Sequence, residues 1–206
     1  MEDLSKEYII SYYNKRLQIF GDKPESIGWS SNGQILRFRS LLDIDNNIAG
    51  SKVLDFGCGK GDFCGYLREK GIDVRYTGFD INEKFISIAA GRYPECSFRT
   101  FDINRDDLNE EFDYIFICGV FNLKVNKLED TIKTALIKLF KHCRIAMAFN
   151  ALSAYTSKKA FELSYLYPEE MFSFALKELS PYASIRHDRV LHDFTMFMYK
   201  EINMLK

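Results

Sequence analysis

Apolar positions follow two different periods along the chain. In the first 45 residues they recur three or four positions apart, which predicts an amphipathic helix over 5–20 with Ser5 as its cap. A second helix is predicted over 32–42, after a loop over 21–31. Two helices therefore precede the part of the chain in which strands are expected.

After residue 50, short apolar runs rich in β-branched and aromatic residues alternate with helical stretches. The predicted strands are 52–57, 74–81, 97–102, 113–119 and 144–150. The predicted helices between them are 61–70, 83–93 and 128–140. This alternation indicates an α/β domain whose parallel sheet carries helices on both faces.

The last third of the chain changes this pattern. A helix is predicted over 168–179, with Pro168 in its first turn and Ser180-Pro181 ending it. The following residues predict two strands joined by a tight turn near 190–192, and the second strand is apolar on both faces. A hairpin thus ends an otherwise parallel sheet.

The most informative motif is VLDFGCGKGDF over 53–63, which follows a predicted strand and opens a predicted helix. Its glycines are Gly57, Gly59 and Gly61. They let the backbone approach a ligand closely, although a plain tight turn is the structural alternative. A dinucleotide fingerprint needs a small residue at position 62, whereas Asp62 would repel a diphosphate. Together with Asp55 it favours a cationic or zwitterionic ligand.

Composition and charge narrow the class of protein. The 28 basic and 29 acidic side chains leave a net charge of −1, which argues against a duplex nucleic-acid partner. Five cysteines without a CxxC pair favour reduced thiols and a cytoplasmic location. No run approaches the roughly 20 apolar residues of a membrane span, and the acidic start is unlike a signal peptide. We expect a soluble monomer or homodimer.

The motif over 53–63 resembles motif I of the class I S-adenosylmethionine (SAM)-dependent methyltransferases. The resemblance implies a Rossmann-like, doubly wound sheet of seven strands, mostly parallel with an antiparallel last strand. It also implies SAM as cofactor, S-adenosylhomocysteine (SAH) as product and a small-molecule substrate. We therefore expect one domain over 1–206, in which a helical lid (1–45) precedes a SAM-binding core (50–206).

The same resemblance implies the cofactor residues. An acid after the second strand binds the ribose hydroxyls in this family, and a polar residue after the third strand meets the adenine, with an apolar side chain on the ring. Helix capping and turn formation are the structural alternatives for these two acids. The implied cofactor site is Asp55, Gly57, Gly59, Gly61, Asp80, Ile81, Asp102, Ile103 and Cys118. Arg37 is added because a guanidinium can bind a carboxylate or phosphate, although a surface arginine is the alternative.

The acceptor site is less clearly marked. His187 and Tyr13 are the candidate bases, since imidazole titrates near neutrality and Tyr13 lies on the first helix. A structural role is the alternative for both. The candidate substrate residues are Trp29, Asn122, Asn150, Tyr12 and Tyr155. No metal site is expected, because the adjacent members of each His-Asp pair at 187–188 and 192–193 point to opposite faces of a strand.

A looser similarity links the chain to small bacterial methyltransferases found in surface-polysaccharide gene sets. It rests on residues 28–41, 119–122 and 186–195. The similarity implies an oxygen acceptor, either a sugar hydroxyl or a phosphoryl or phosphoramidate oxygen. The alternatives are an N-methyltransferase, a nicotinamide-dependent oxidoreductase and a non-catalytic SAM-binding subunit.

Overall fold

A computed structural model describes residues 3–202 of the chain. The first two and the last four residues of the domain predicted over 1–206 lie outside the described residues. Six α-helices are present in the described part: α1 Asp3–Phe20, α2 Ser31–Leu42, α3 Asp62–Glu69, α4 Glu83–Arg92, α5 Leu128–Lys141 and α6 Pro168–Glu178. Within 3–202, no helix combines the length and the apolar character that crossing a membrane requires.

The strands form one seven-stranded sheet. They are β1 Lys52–Phe56, β2 Arg75–Asp80, β3 Ser97–Thr100, β4 Phe112–Cys118, β5 Cys143–Leu152, β6 Ala183–Arg186 and β7 Asp193–Tyr199. Their order is β3-β2-β1-β4-β5-β7-β6. Strands β1 to β5 pair in parallel, and β7 pairs antiparallel with β5 and β6. The Rossmann-like doubly wound sheet with an antiparallel last strand is confirmed.

The side chains of the inner strands alternate between two apolar clusters, one on each face of the sheet. In β1, Leu54 and Phe56 join the cluster beneath α5 and α6, whereas Val53 joins the cluster beneath α2 and α3. Asp55 therefore points to the second face, among apolar side chains. Both faces of β1 are buried because helices cover both.

The predicted helices and strands agree with the observed ones to within two residues at each end. Two local predictions were wrong. Ser5 does not cap α1 but lies inside it, because the helix already begins at Asp3. The hairpin turn is also longer than predicted: residues 187–192 form no ladder, so β6 ends at Arg186 and β7 begins at Asp193. A short 3₁₀ helix, Pro24–Ile27, lies in the predicted loop.

Candidate active site

A cavity lies at the carboxyl ends of β1, β2, β3 and β4, where open α/β sheets bind their ligands. Most of its wall is apolar and aromatic, and carboxylates interrupt it at the strand ends. Of the cofactor residues implied by the sequence, those that line the cavity are Asp55, Gly57, Gly59, Asp80, Ile81, Asp102, Ile103 and Cys118. The fold thus brings residues from four separate strands to one site.

Helix α1 covers one side of this cavity with Ile9, Ile10 and Tyr13. Two polar contacts join the helix to the strand ends below. The Lys6 ammonium donates to the Asp102 carboxylate at 2.9 Å, and the Asn82 side chain donates to the Asn14 side-chain oxygen at 3.2 Å. The N-terminal segment is therefore a wall of the site.

The glycine loop turns sharply because of its contacts. The N–H groups of residues 57 and 58 both donate to the carbonyl of Phe79, at 2.7 and 2.9 Å. Gly57 has φ +78°, and a Cβ there would lie 2.3 Å from Val120 Cγ2, so only glycine fits. At Gly59 φ is +53° and the nearest atom to such a Cβ is 3.9 Å away, so the backbone conformation, not the space, favours glycine there. Gly61 packs against Tyr93 and does not line the cavity.

Asp80 is held in place by backbone donors. Its Oδ2 accepts from the Gly59 N–H at 2.9 Å, and its Oδ1 accepts from the Asn82 N–H at 2.8 Å. Burial raises the pKa of Asp80 to about 6, although these hydrogen bonds oppose the rise. Each oxygen keeps a further lone pair, so the fixed carboxyl group can accept two more hydrogen bonds from the cavity.

Asp102 has the opposite electrostatic setting. Burial would raise its pKa, but the hydrogen bonds and charge of Lys6 and the Asn104 N–H hold the pKa of Asp102 below its usual value. The Asn104 N–H lies 3.0 Å from Oδ1. Asp102 is therefore an ionised acceptor at the β3 side of the cavity.

Asp55 is buried on the β1 side of the cavity, and the Tyr76 hydroxyl donates to its Oδ2 at 2.5 Å. Burial raises the pKa of Asp55 to about 7. The Tyr76 hydrogen bond opposes this rise, and the charges of Asp80 and Asp62 add to it. Close to neutral pH, this carboxyl group is thus poised between its two protonation states.

A buried lysine ties the glycine loop to the segment that follows α1. The Lys60 ammonium donates to the carbonyls of Asp22 and Lys23 at 2.8 and 3.2 Å, and burial lowers its pKa. Arg92 donates to the Lys60 carbonyl at 3.0 Å and to Asp62 at 2.9 Å. Because Asp62 is compensated in this way, its repulsion of a diphosphate is weaker than the sequence argument assumed.

Trp29 lines the cavity beside the end of β4. Gly119 follows that strand with φ +64°, and a Cβ there would lie 2.4 Å from Trp29 Cζ2, so glycine makes room for the indole. The Arg37 guanidinium lies 5.1 Å from the indole ring. Arg37 Nε and Nη2 each donate to Asp193 at 2.7 Å, so the structure does not bring Arg37 together with the other predicted cofactor residues. The guanidinium is already paired and lies outside the cavity wall.

Of the residues predicted for the acceptor site, Tyr13 and Trp29 line the cavity. Five predicted side chains do not line the cavity: His187, Tyr12, Asn122, Asn150 and Tyr155. His187 is exposed beyond the edge strand β6 and contacts Tyr155, which is 62% exposed. Asn150 is buried between strands and donates to the Phe194 carbonyl at 3.2 Å. Tyr12 packs edge-on against Tyr13.

Asn122 lies outside the cavity wall, whereas Tyr13 is part of it. Asn122 is buried beside Gly119, and its carbonyl accepts from the Ser164 N–H at 2.8 Å, so it supports the loop after β4 rather than facing the cavity. Tyr13 does line the cavity, and burial raises its pKa above the usual value. A raised pKa leaves less phenolate, the form that accepts a proton, near neutral pH, so a wall role for Tyr13 is favoured.

Several residues of the site were not predicted from the sequence. Ile9, Ile10 and Phe85 line the cavity, and Lys6 and Lys60 hold its walls. Lys60 stands inside the glycine motif, so its position was a signal, but its partners lie 37 and 38 residues away. Within the described residues, no group of three or more His, Cys, Asp or Glu side chains is arranged to hold a metal ion.

Comparison with known proteins agrees with this geometry. Residues 53–143 match a family model described as "Methyltransferase domain". The Mycobacterium tuberculosis protein "Putative methyltransferase Rv1506c" is 30% identical over 154 residues, which cover 72% of this chain and 92% of that protein.

Two solved structures share the fold. Magnesium protoporphyrin IX methyltransferase (ChlM) from Synechocystis PCC 6803 with bound SAH has a TM-score of 0.68 and 16% identity, over 96% of this chain and 99% of that one. The DhpI–SAH complex has a TM-score of 0.69 and 18% identity, over 93% and 95%. The matched domain, the mycobacterial relative and the shared sheet together identify this chain as a member of the class I SAM-dependent methyltransferases, with SAM as its cofactor.

Proposed function

We propose that this methyltransferase transfers the methyl group of SAM to an oxygen of a small polar acceptor. One observation carries the proposal: a single cavity joins the glycine loop and three strand-end carboxylates to an aromatic wall at Trp29. The acceptor is a sugar hydroxyl or a phosphoryl or phosphoramidate oxygen of surface-polysaccharide synthesis. The similarity over residues 28–41, 119–122 and 186–195 supports this context.

In this proposal, Asp80 accepts hydrogen bonds from the two ribose hydroxyls. Its support is the pair of backbone N–H groups that fix both carboxylate oxygens at the cavity wall. Asp102 accepts from the adenine amino group, and Ile103 packs on the ring. The glycine loop over Gly57 and Gly59, which lines the cavity, receives the amino-acid end of the cofactor. Cys118 and Gly119 would then border the methyl group, together with Trp29, which packs against Gly119.

When bound, the cofactor would supply a methyl group activated by its positively charged sulfur. The protein's part is to orient the acceptor and to exclude water. We propose that the segment 1–45 acts as the lid in this step, because Ile9, Ile10 and Tyr13 of α1 cover the cavity. The Lys6–Asp102 contact fastens this lid to the adenine side of the site.

Replacing Asp80 with alanine is expected to weaken SAH binding by about 10- to 100-fold, because two ribose hydroxyls would lose a charged acceptor. Titration calorimetry with SAH measures this loss. Asp107→Ala is the matched control, since Asp107 is an exposed acid in the loop after β3. Equal affinity of Asp80→Ala and the wild type would remove Asp80 from the cofactor site.

The acceptor class is tested by measuring SAH release with sugar phosphates, phosphoramidates and primary amines as separate substrates. Turnover with the oxygen acceptors alone is the expected result. Methylation of the amines alone would favour the N-methyltransferase alternative. Release of no SAH with any acceptor, despite tight SAH binding, would favour a non-catalytic subunit. Tight binding of a nicotinamide dinucleotide in place of SAH would contradict the proposal altogether.

A further inference from the structure

Two thiols lie side by side behind the glycine loop. Cys64, on α3, and Cys96, just before β3, have their sulfur atoms 3.6 Å apart. Both are free thiols, and neither lines the cavity. A disulfide has a bond of about 2.05 Å, so the sulfurs need to approach by about 1.5 Å, which is within the range of side-chain torsions.

The surroundings make the two thiols unequal. Cys96 is partly exposed, and an Arg68 guanidinium nitrogen lies 3.6 Å from its sulfur. The Cys96 thiol also donates to the Glu95 carboxylate at 3.8 Å, and that carboxylate is paired with Arg68. An oxidant can therefore reach the Cys96 sulfur from solvent. Cys64 is buried, and burial, with the neighbouring Cys96, raises the pKa of Cys64 to about 12. Cys96 is therefore the thiol that reacts first.

The backbone around the pair is already packed in place. The Tyr93 ring lies against Gly61 and Gly65 of the α3 region, where a Cβ would overlap it. The Cys96 N–H donates to the Tyr93 carbonyl at 3.0 Å, closing a turn over 93–96. This turn therefore presents Cys96 to Cys64 without any rearrangement of the helix.

The remaining thiols have a different setting. Cys58, Cys118 and Cys143 are all buried, and burial raises the pKa of each. Cys58 and Cys118 line the cofactor cavity, and the Cys143 thiol donates to the Asp113 carbonyl. Their low thiolate content makes them slow to oxidise.

We propose that Cys64 and Cys96 form a site of reversible oxidation, closed as an intramolecular disulfide by hydrogen peroxide. The Cys96 thiolate attacks one peroxide oxygen, the O–O bond breaks, and hydroxide leaves as the sulfur becomes a sulfenic acid. The Cys64 sulfur then attacks the Cys96 sulfur, the S–O bond breaks, and the oxygen leaves as water with the thiol proton. Two thiols and one peroxide thus give one disulfide and two waters, and a dithiol reductant reverses the change.

The bond would link the helix that follows the glycine loop to the start of β3. Because the two cysteines are 32 positions apart, closing this loop restricts the unfolded chain and raises Tm by about 7–15 °C. Neither cysteine lines the cavity, so the affinity for SAH stays within about 2-fold of the reduced value, which corresponds to roughly 0.4 kcal/mol.

The test treats the purified full chain with a small excess of hydrogen peroxide, blocks the remaining thiols with iodoacetamide and digests without reductant. Mass spectrometry is expected to find the Cys64 and Cys96 peptides joined, two hydrogens lighter than their sum. Dithiothreitol should separate the peptides and return Tm to its starting value.

Single-cysteine variants assign the disulfide to the two thiols. Cys64→Ser and Cys96→Ser should each lose both the linked peptide and the Tm shift, whereas Cys143→Ser should keep them. Three results would overturn the proposal: overoxidation of Cys96 while Cys64 stays reduced, a link between other cysteines, or no oxidation of the pair. Loss of SAH binding on oxidation would contradict its placement outside the cofactor site.

Discussion

Relative to an Asp55→Asn variant, the wild-type protein is expected to lose unfolding free energy as the pH rises from about 5 to 8. Asp55 is buried, and its pKa is raised from 3.8 to about 7. A raised pKa stabilises the fold only while the folded state keeps the extra proton, so the stability is full below pH 3.8 and is lost as the pH approaches 7. The asparagine side chain of the variant does not titrate. The free energy of unfolding of the wild type minus that of Asp55→Asn should fall by about 3 kcal/mol between pH 5 and 8, at up to 1.36 kcal/mol for each pH unit.

Urea denaturation of both proteins at several pH values between 5 and 8 measures this difference. Tyr76→Phe supplies the control, because the Tyr76 hydroxyl donates to Asp55 and opposes the rise in its pKa. Without that hydrogen bond, the loss of stability should shift to higher pH. Parallel curves for the wild type and Asp55→Asn across the whole range would show that Asp55 titrates normally.

Gly57→Ala is expected to lower the free energy of unfolding by about 2–5 kcal/mol. A non-glycine residue at φ +78° costs about 1–2 kcal/mol, and the added Cβ would overlap Val120 at 2.3 Å, which costs a further 1–3 kcal/mol. Because the same loop borders the cavity, SAH affinity should fall as well. Denaturant unfolding and SAH titration give the two quantities.

Gly91→Ala is the matched control for that substitution. Gly91 lies in α4, has an ordinary φ and has open space where a Cβ would be, so alanine should raise stability by roughly 0.5–1 kcal/mol. Adding Val120→Ala to Gly57→Ala should recover the steric share but leave the backbone strain. A Gly57→Ala protein as stable as the wild type would mean that the loop relaxes without cost.

The elements of the fold were predictable because their signals are local. The apolar period of 128–140 and the short run at 113–119 each identify an element without knowledge of the rest of the chain. The placement of Asp80 and Asp102 at one edge also follows, because parallel strands direct their carboxyl ends the same way. The resemblance of residues 53–63 to motif I predicted the glycine loop beside them.

The contacts that shape the site depend on pairs far apart in sequence. Nothing near Arg37 in the sequence shows that its guanidinium is paired, because its partner, Asp193, lies 156 residues away. His187 was expected inside a strand, but it follows the end of β6, which is the outermost of the seven strands. Lys6 and Ile9 belong to a helix whose docking position no local pattern encodes. Such pairings follow from tertiary packing alone.

Two carboxyl groups in the cavity are each partly protonated near neutral pH, so binding of a ligand changes the number of protons that the protein holds. The pKa values of Asp55 and Asp80 are about 7 and 6, so near pH 6.5 both groups are present in both protonation states. A ligand that brings positive charge and hydroxyl donors to them favours the ionised forms, so its arrival expels protons into the buffer. The heat measured on mixing then includes the buffer's own protonation. Experiments in phosphate and in Tris will therefore return different apparent enthalpies for one and the same binding event.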